Sequence, residues 1–257
     1  MKRAGGPLPV EENSKDKDAK VRGQVRVAKY YPKRGMPAAP DGYRNILIHS
    51  SGKTLGAALS PYKLKDEQGR LIENVWQFAK VYQKVDAQKT PMSWRFKLNT
   101  IIWEHPAEVH VDEEGNLTPE YWAWRDKGMK HWYAVRYPNG FQGRHKCLYA
   151  YWDGEKLGYI ESRKKIYCGE YIRLAPTHPD FIKLKALLDE GQNIQIVEVD
   201  GPDPTLTYAP YDRISRDDPG LPIDEQTIRT LIDDERKPFG HGYVIAALLL
   251  DGADWLK

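Results

Sequence analysis

Apolar and polar positions divide this chain into short stretches of distinct period. Val21–Tyr31 (VRGQVRVAKYY) and Tyr43–His49 (YRNILIH) carry strand character, with the Pro32–Pro40 loop between them. Asp66, Glu67, Gln68 and Gly69 supply a turn between Tyr62–Lys65 and Arg70–Ile72, which reads as a hairpin. A helix follows. Ile72, Val75, Trp76 and Ala79 form its apolar arc, while Glu73, Gln77, Lys80 and Lys84 form another. The aromatic middle predicts a helix over Met92–Trp103 and a second one capped by Thr118, with Pro119 and Glu120 in its first turn. Tyr133–Tyr137 and Cys147–Trp152 read as strands, and Asp153–Gly154 with Leu157–Ile160 as a hairpin.

The pattern sharpens after Ser162. Ser162–Ala175 is expected to be helical. Pro179 and Asp180 open another helix, with Phe181, Leu184, Leu187 and Leu188 inward and Gly191 at its end. Asn193–Val199 (NIQIVEV) is apolar on both faces towards its end, which suits a central strand. It stops at the turn cluster Asp200–Pro204. A helix from about Pro222 to Asp233 precedes Tyr243–Leu250 (YVIAALLL), a nearly all-apolar helix that must be buried. Together these elements predict an α+β fold: a single compact domain with helices packed around a small mixed sheet and a buried C-terminal helix. Residues 1–20 are expected to form a basic mobile tail. Residues 21–257 are expected to form the domain, with an aromatic-rich insertion at about 90–160.

The 257 residues suffice to bury a sizeable core. A net charge of +3 is too small to demonstrate nucleic-acid binding by itself. The basic residues are uneven, however, and crowd the first 34 positions. Eight Trp and sixteen Tyr offer flat rings for bases or sugars, although any one ring more often fills a core. Cys147 and Cys168 make no CxxC pair, which excludes zinc-ribbon and thioredoxin-like readings. No apolar run approaches a membrane span, and no signal-peptide core opens the chain. A cytoplasmic protein is expected, in the host cytoplasm if the chain is viral. No HExxH or deaminase-type motif occurs, so neither a metal nor another cofactor is expected.

Three groups could carry chemistry. Glu73, Gln77 and Lys80 share one helical face, where an acid, an amide and an amine could bind a polar ligand and move protons. The plain alternative is a solvated face. A lysine attacks carbonyl carbon only when burial or a neighbouring cation depresses its pKa, and Lys84 could be that cation. Gly240-His241-Gly242 precedes the buried helix, where free amides could receive phosphate, or where a simple tight turn could lie. Asp200 ends a central strand, a place for ligands or for an Asx turn.

Two segments resemble the NADAR (YbiA-like) family. Leu59-Ser60-Pro61-Tyr62 looks like the family's LSNFYP-like strand, and Glu73, Gln77 and Lys80 keep its E–Q–K spacing. Leu187–Gly191 and Val197-Glu198 follow the order of its L-L-x-T-G and V-E elements, and Gly240–Leu250 sits where the family has a glycine-Asn-Leu-Gly helix. The W-G-x-G after the V-E strand is absent, and Gly242-Tyr243-Val244-Ile245 replaces Asn-Leu-Gly. The match covers about a third of the chain.

The resemblance implies hydrolysis of N-glycosidic bonds, with ADP-ribose removed from guanine in DNA to reverse DarT-type toxins, as in free-standing phage antitoxin-like members. ADP-ribosylated nucleic acid is then the expected partner, touched non-specifically by the basic N-terminus. In this reading Glu73 is the general acid/base. Lys80 is the essential amine, capturing a ring-opened sugar as a Schiff base or pairing with phosphate. Gln77 orients the ribose, Trp76 or Tyr62 stacks on the base, and Gly240, His241 and Gly242 receive the pyrophosphate, with Asp200 nearby. The alternatives are a non-catalytic nucleic-acid-binding accessory protein and an N-glycosidase for a free phosphoribosyl metabolite.

Overall fold

The computed structural model describes residues 21–91, 101–138 and 141–257. The expected basic tail lies outside the described residues, as does the expected helix as far as Thr100. The described end of that helix, Ile101–Trp103, is instead part of a strand, Ile101–His105, paired antiparallel with Gln88–Pro91. β-Branched residues favour the extended backbone there.

The fold is α+β, with helices around a small mixed sheet. Asn193–Glu198 lies at its centre, parallel to Val25–Lys29 on one side and to Tyr43–Leu47 on the other. Leu221–Pro222 closes the edge, antiparallel to Val25–Lys29. Ile194, Ile196 and Val197 are fully buried, as a strand covered on both faces requires. The C-terminal helix, His241–Leu249, packs against Val25–Lys29 and Asn193–Glu198 and is buried from Gly242 to Leu249. The helices Gly169–Leu174, Pro179–Asp189 and Glu225–Asp233 surround it. Helix starts follow side-chain chemistry: Thr118 Oγ1 accepts from the Tyr121 amide at 3.2 Å, and Asp224 Oδ1 from the Thr227 amide at 2.7 Å.

Two apolar clusters fill the molecule. One surrounds the mixed sheet and the C-terminal helix. The other is aromatic, built on Phe78, Trp103, Tyr121 and Trp124. The helix Ile72–Phe78 is their seam. Ile72 belongs to the first cluster, Val75 and Phe78 to the second, and Trp76 packs against both. A Cβ at Gly128 would lie 2.0 Å from the Phe78 ring, so the helix Pro119–Met129 approaches this seam as closely as it does only with glycine there.

Several expected boundaries move. The seam helix ends at Phe78. Lys80–Val81 and Lys84–Val85 are short strands, paired with Tyr149–Ala150 and Glu108–Val109, so Lys80 and Lys84 do not lie on the helix. Cross-strand pairing overrides the helical period here. The expected hairpin near Asp66 reduces to one bridge, Lys65 to Leu71. Tyr133–Tyr137 forms no strand. Glu155–Leu157 pairs with Tyr149–Trp152, while Tyr159 already starts a helix. The helical run near Ser162 widens to a π turn at Arg163–Cys168. Among the described residues, no helix is long and apolar enough to cross a membrane.

Candidate active site

The seam helix supplies the centre of the site. Glu73 and Gln77, one turn apart, are both buried, at 4% and 5% exposure. Gln77 Nε2 donates to Glu73 Oε1 at 2.9 Å, and Lys80 Nζ donates to Gln77 Oε1 at 2.8 Å. The amide is thereby fixed at both ends: its nitrogen faces a carboxylate and its oxygen faces an amine. Arg136 Nε also donates to Glu73 Oε1, at 3.0 Å. Glu73 Oε2 receives no hydrogen bond among the described residues, so one carboxylate oxygen is anchored and the other is available.

Lys80 lies just beyond the helix, on the strand edge, and is buried. Burial, above all, lowers its pKa to about 8; Cys147 and Glu73 pull the other way, and Arg136 reinforces the fall. Its ammonium sits 4.7 Å from the Trp76 ring centroid. Lys84, considered from the sequence as the depressing cation, is exposed on another strand and does not act in this way. That part falls to burial and Arg136.

These groups open into a cleft of about 720 Å³, including its mouth. Glu73, Trp76, Gln77, Lys80, Asp200 and Gly240 line it, all of them residues singled out from the sequence. Trp76, Tyr159 and Tyr167 form an aromatic wall, with ring centroids 6.3 and 5.8 Å from Trp76. Three arginines that the sequence reading did not select, Arg136, Arg144 and Arg163, join them. Among the described residues, four cations thus line the cleft with two carboxylates, Glu73 and Asp200. Arg163 is held by the carbonyls of Ile232, Asp234 and Lys237 at 2.7, 3.1 and 3.2 Å. Arg144 lies over the Phe141 ring at 4.3 Å and has no carboxylate partner among the described residues. The sequence signal for these arginines was their proximity to Tyr137, Phe141 and Tyr159, as in nucleotide-contacting surfaces that alternate cations with rings.

Tyr62, His241 and Gly242 do not line the cleft. Tyr62 lies beneath it, its ring 5.2 Å from the Arg136 guanidinium, and burial raises the pKa of its phenol, with Glu73 adding to the rise. The turn expected to seat a pyrophosphate already holds an anion of the protein's own. Glu198 Oε2 accepts from the Gly242 amide at 3.1 Å and pairs with His241 Nδ1 at 2.7 Å. Its Oε1 accepts from the Asp200 amide at 2.6 Å. Glu198 therefore caps the C-terminal helix and meets the positive end of its dipole. A Cβ at Gly242 would lie 2.9 Å from Glu198 Cβ, so the close approach needs glycine.

His241 Nε2 is 2.9 Å from the Ile48 carbonyl. Both ring nitrogens thus face acceptors, which the imidazolium alone satisfies. Burial opposes that charge, but Glu198 outweighs it and raises the His241 pKa. Burial likewise opposes the Glu198 carboxylate, and His241 with the two backbone amides keeps its pKa low. Asp200 shifts upward, through burial and then Glu198.

No protein-family model matches the chain, and neither does a curated protein or a solved structure. Among the described residues, no group of three His, Cys, Asp or Glu side chains is arranged to hold a metal ion.

Proposed function

We propose that the protein is an N-glycosidase that releases ADP-ribose from guanine bases in DNA. The observation that carries this reading is the relay Arg136–Glu73–Gln77–Lys80, buried from Glu73 to Lys80, in which one Glu73 oxygen has no hydrogen bond among the described residues and lies in a cation-rich cleft. Cleavage breaks the bond between the anomeric carbon and the base nitrogen. The bonding electrons leave with nitrogen, which takes a proton, positive charge develops on the sugar, and water adds to the anomeric carbon and gives up a proton. Glu73 Oε2 supplies the acid/base function and faces that charge, while Arg136 and Gln77 fix the carboxylate's orientation.

Lys80, with a pKa of about 8, holds a substantial neutral fraction just above neutrality and can capture a ring-opened sugar aldehyde. Arg144, which has no carboxylate partner among the described residues, suits a phosphate of the ligand, and the aromatic wall suits a flat ring. The resemblance of Leu59–Lys80 and Lys164–Pro204 to the NADAR family supports the same chemistry and suggests DNA as the carrier. In the direct test, the protein is incubated with an oligonucleotide carrying ADP-ribosylated guanine, and the products are followed by mass spectrometry. Release of ADP-ribose with restored guanine is expected. An unchanged oligonucleotide would reject the reading.

A further inference from the structure

Asn74 faces away from the cleft chemistry, yet it is fully buried. Its Nδ2 donates to the carbonyls of His131 and Tyr133 at 2.9 and 3.0 Å, and its Oδ1 accepts from the Val135 amide at 2.8 Å. Its neighbour Glu73 takes Arg136. Two adjacent residues of the seam helix thus bolt the segment His131–Arg136 to the site at four points.

Such a segment would be expected to turn its apolar side chains inward, and Val135 and the adjoining Tyr137 do so. Trp132 does not: it is 63% exposed. It is nevertheless held, 5.9 Å from the His131 ring at an interplanar angle of 28°, and 5.5 Å from the Tyr133 ring, edge to face. Four residues later Arg136 is also exposed, at the mouth of the cleft. At most about 14 Å of chain separates the two Cα atoms.

An exposed indole on a rigid backbone, beside a cationic cleft, is a stacking platform for a base whose backbone phosphates meet the cations. We infer that His131–Arg136 is a ledge for single-stranded nucleic acid, on which a base next to the modified nucleotide stacks against Trp132 while the modified one enters the cleft. A duplex keeps its bases stacked on one another and offers Trp132 no free face, so the ledge selects unpaired strands. This inference rests on the glycosidase reading for what enters the cleft, but not for the binding itself.

The test uses the full chain and Trp132→Ala, with Trp132→Phe as the variant that keeps a ring. Anisotropy is measured with a labelled oligothymidylate and with a duplex of mixed sequence. Trp132→Ala should weaken the single strand about tenfold and leave the duplex unchanged, and Trp132→Phe should restore most of the loss. Equal single-strand affinity for wild type and Trp132→Ala would overturn the ledge. Turnover separates the two readings. Trp132→Ala should cleave a free ADP-ribosylated guanine nucleoside at the wild-type rate and the modified single-stranded oligonucleotide more slowly. Equal slowing on both substrates would also overturn the ledge. Failure of the wild type on both substrates would reject the glycosidase alone and leave the binding arm to decide the ledge.

Discussion

Arg136 Nε lies 3.0 Å from Glu73 Oε1, and among the described residues no group donates to Oε2 of the same carboxylate. Arg136 and Gln77 together therefore set which oxygen is anchored. Glu73→Gln should lower kcat by about 100- to 10,000-fold, the usual worth of a positioned acid/base. Arg136→Ala should reduce kcat less, because Gln77 still holds Oε1. Circular dichroism should find both variants folded. Wild-type turnover by Glu73→Gln would remove the carboxylate from the chemistry.

Lys80 makes two claims on pH. As a neutral amine in the reaction, it predicts kcat/KM rising with pH to a plateau, with a midpoint near 8. Lys80→Arg, always charged, should not restore activity. For stability the sign follows from proton uptake. The folded pKa of about 8 lies below the ordinary 10.5, so between those values the unfolded chain binds more protons. Folding stability contributed by this group therefore rises from pH 8 to 10.5. Lys80→Met should lack that rise in urea titrations across the interval.

Asn74 closes three hydrogen bonds with one buried side chain. Asn74→Ala leaves two carbonyls and an amide without their partner, at a cost on the order of 3 kcal/mol. Because Arg136 follows the same segment, kcat should also drop. Thermal melts and turnover measured on one preparation would check both. An unchanged melting temperature would show that the segment is held by other contacts.

Glu198 neutralises an imidazolium inside the molecule. Glu198→Gln leaves His241 charged and unpaired, or forces it neutral with one ring nitrogen unsatisfied. Breaking such a pair costs about 3 to 5 kcal/mol. Denaturant unfolding measures this loss directly.

His110 is fully buried between Tyr121 and Trp124, and burial lowers its pKa to about 4, helped by His105. The ordinary value is 6.5, so the unfolded chain takes up the proton first as pH falls. Stability from this group is complete above pH 6.5 and is lost on descent towards 4. Glu108 beside it works the other way, its pKa raised by burial and by Glu120. Comparing His110→Gln with wild type isolates the histidine: the variant should lose less melting temperature between pH 6.5 and 4.5.

The central strand and the last helix were legible because Asn193–Val199 is apolar on both faces towards its end and Tyr243–Leu250 nearly throughout, which leaves few alternatives to burial. The E–Q–K spacing was legible as proximity, but its geometry was not. Lys80 comes to Gln77 by leaving the helix, and the strand pairing that draws it out depends on Tyr149 and Ala150, far along the chain. The glycine turn had the right composition for an anion, and the anion proved to be Glu198, 44 residues earlier. Arg136 and Arg144 were missed because the rings beside them, Tyr137 and Phe141, are a weak local mark; only the tertiary fold brings them to Glu73 and to the cleft.

Trp76 packs against both apolar clusters, and Glu73, Asn74 and Gln77 share its helix. Neither half of the molecule can loosen without tilting that helix and spoiling the alignment of Glu73, Gln77 and Lys80. Under the proposed activity, turnover is thus a gauge of complete folding: partly melted forms should be silent well before their circular dichroism fades.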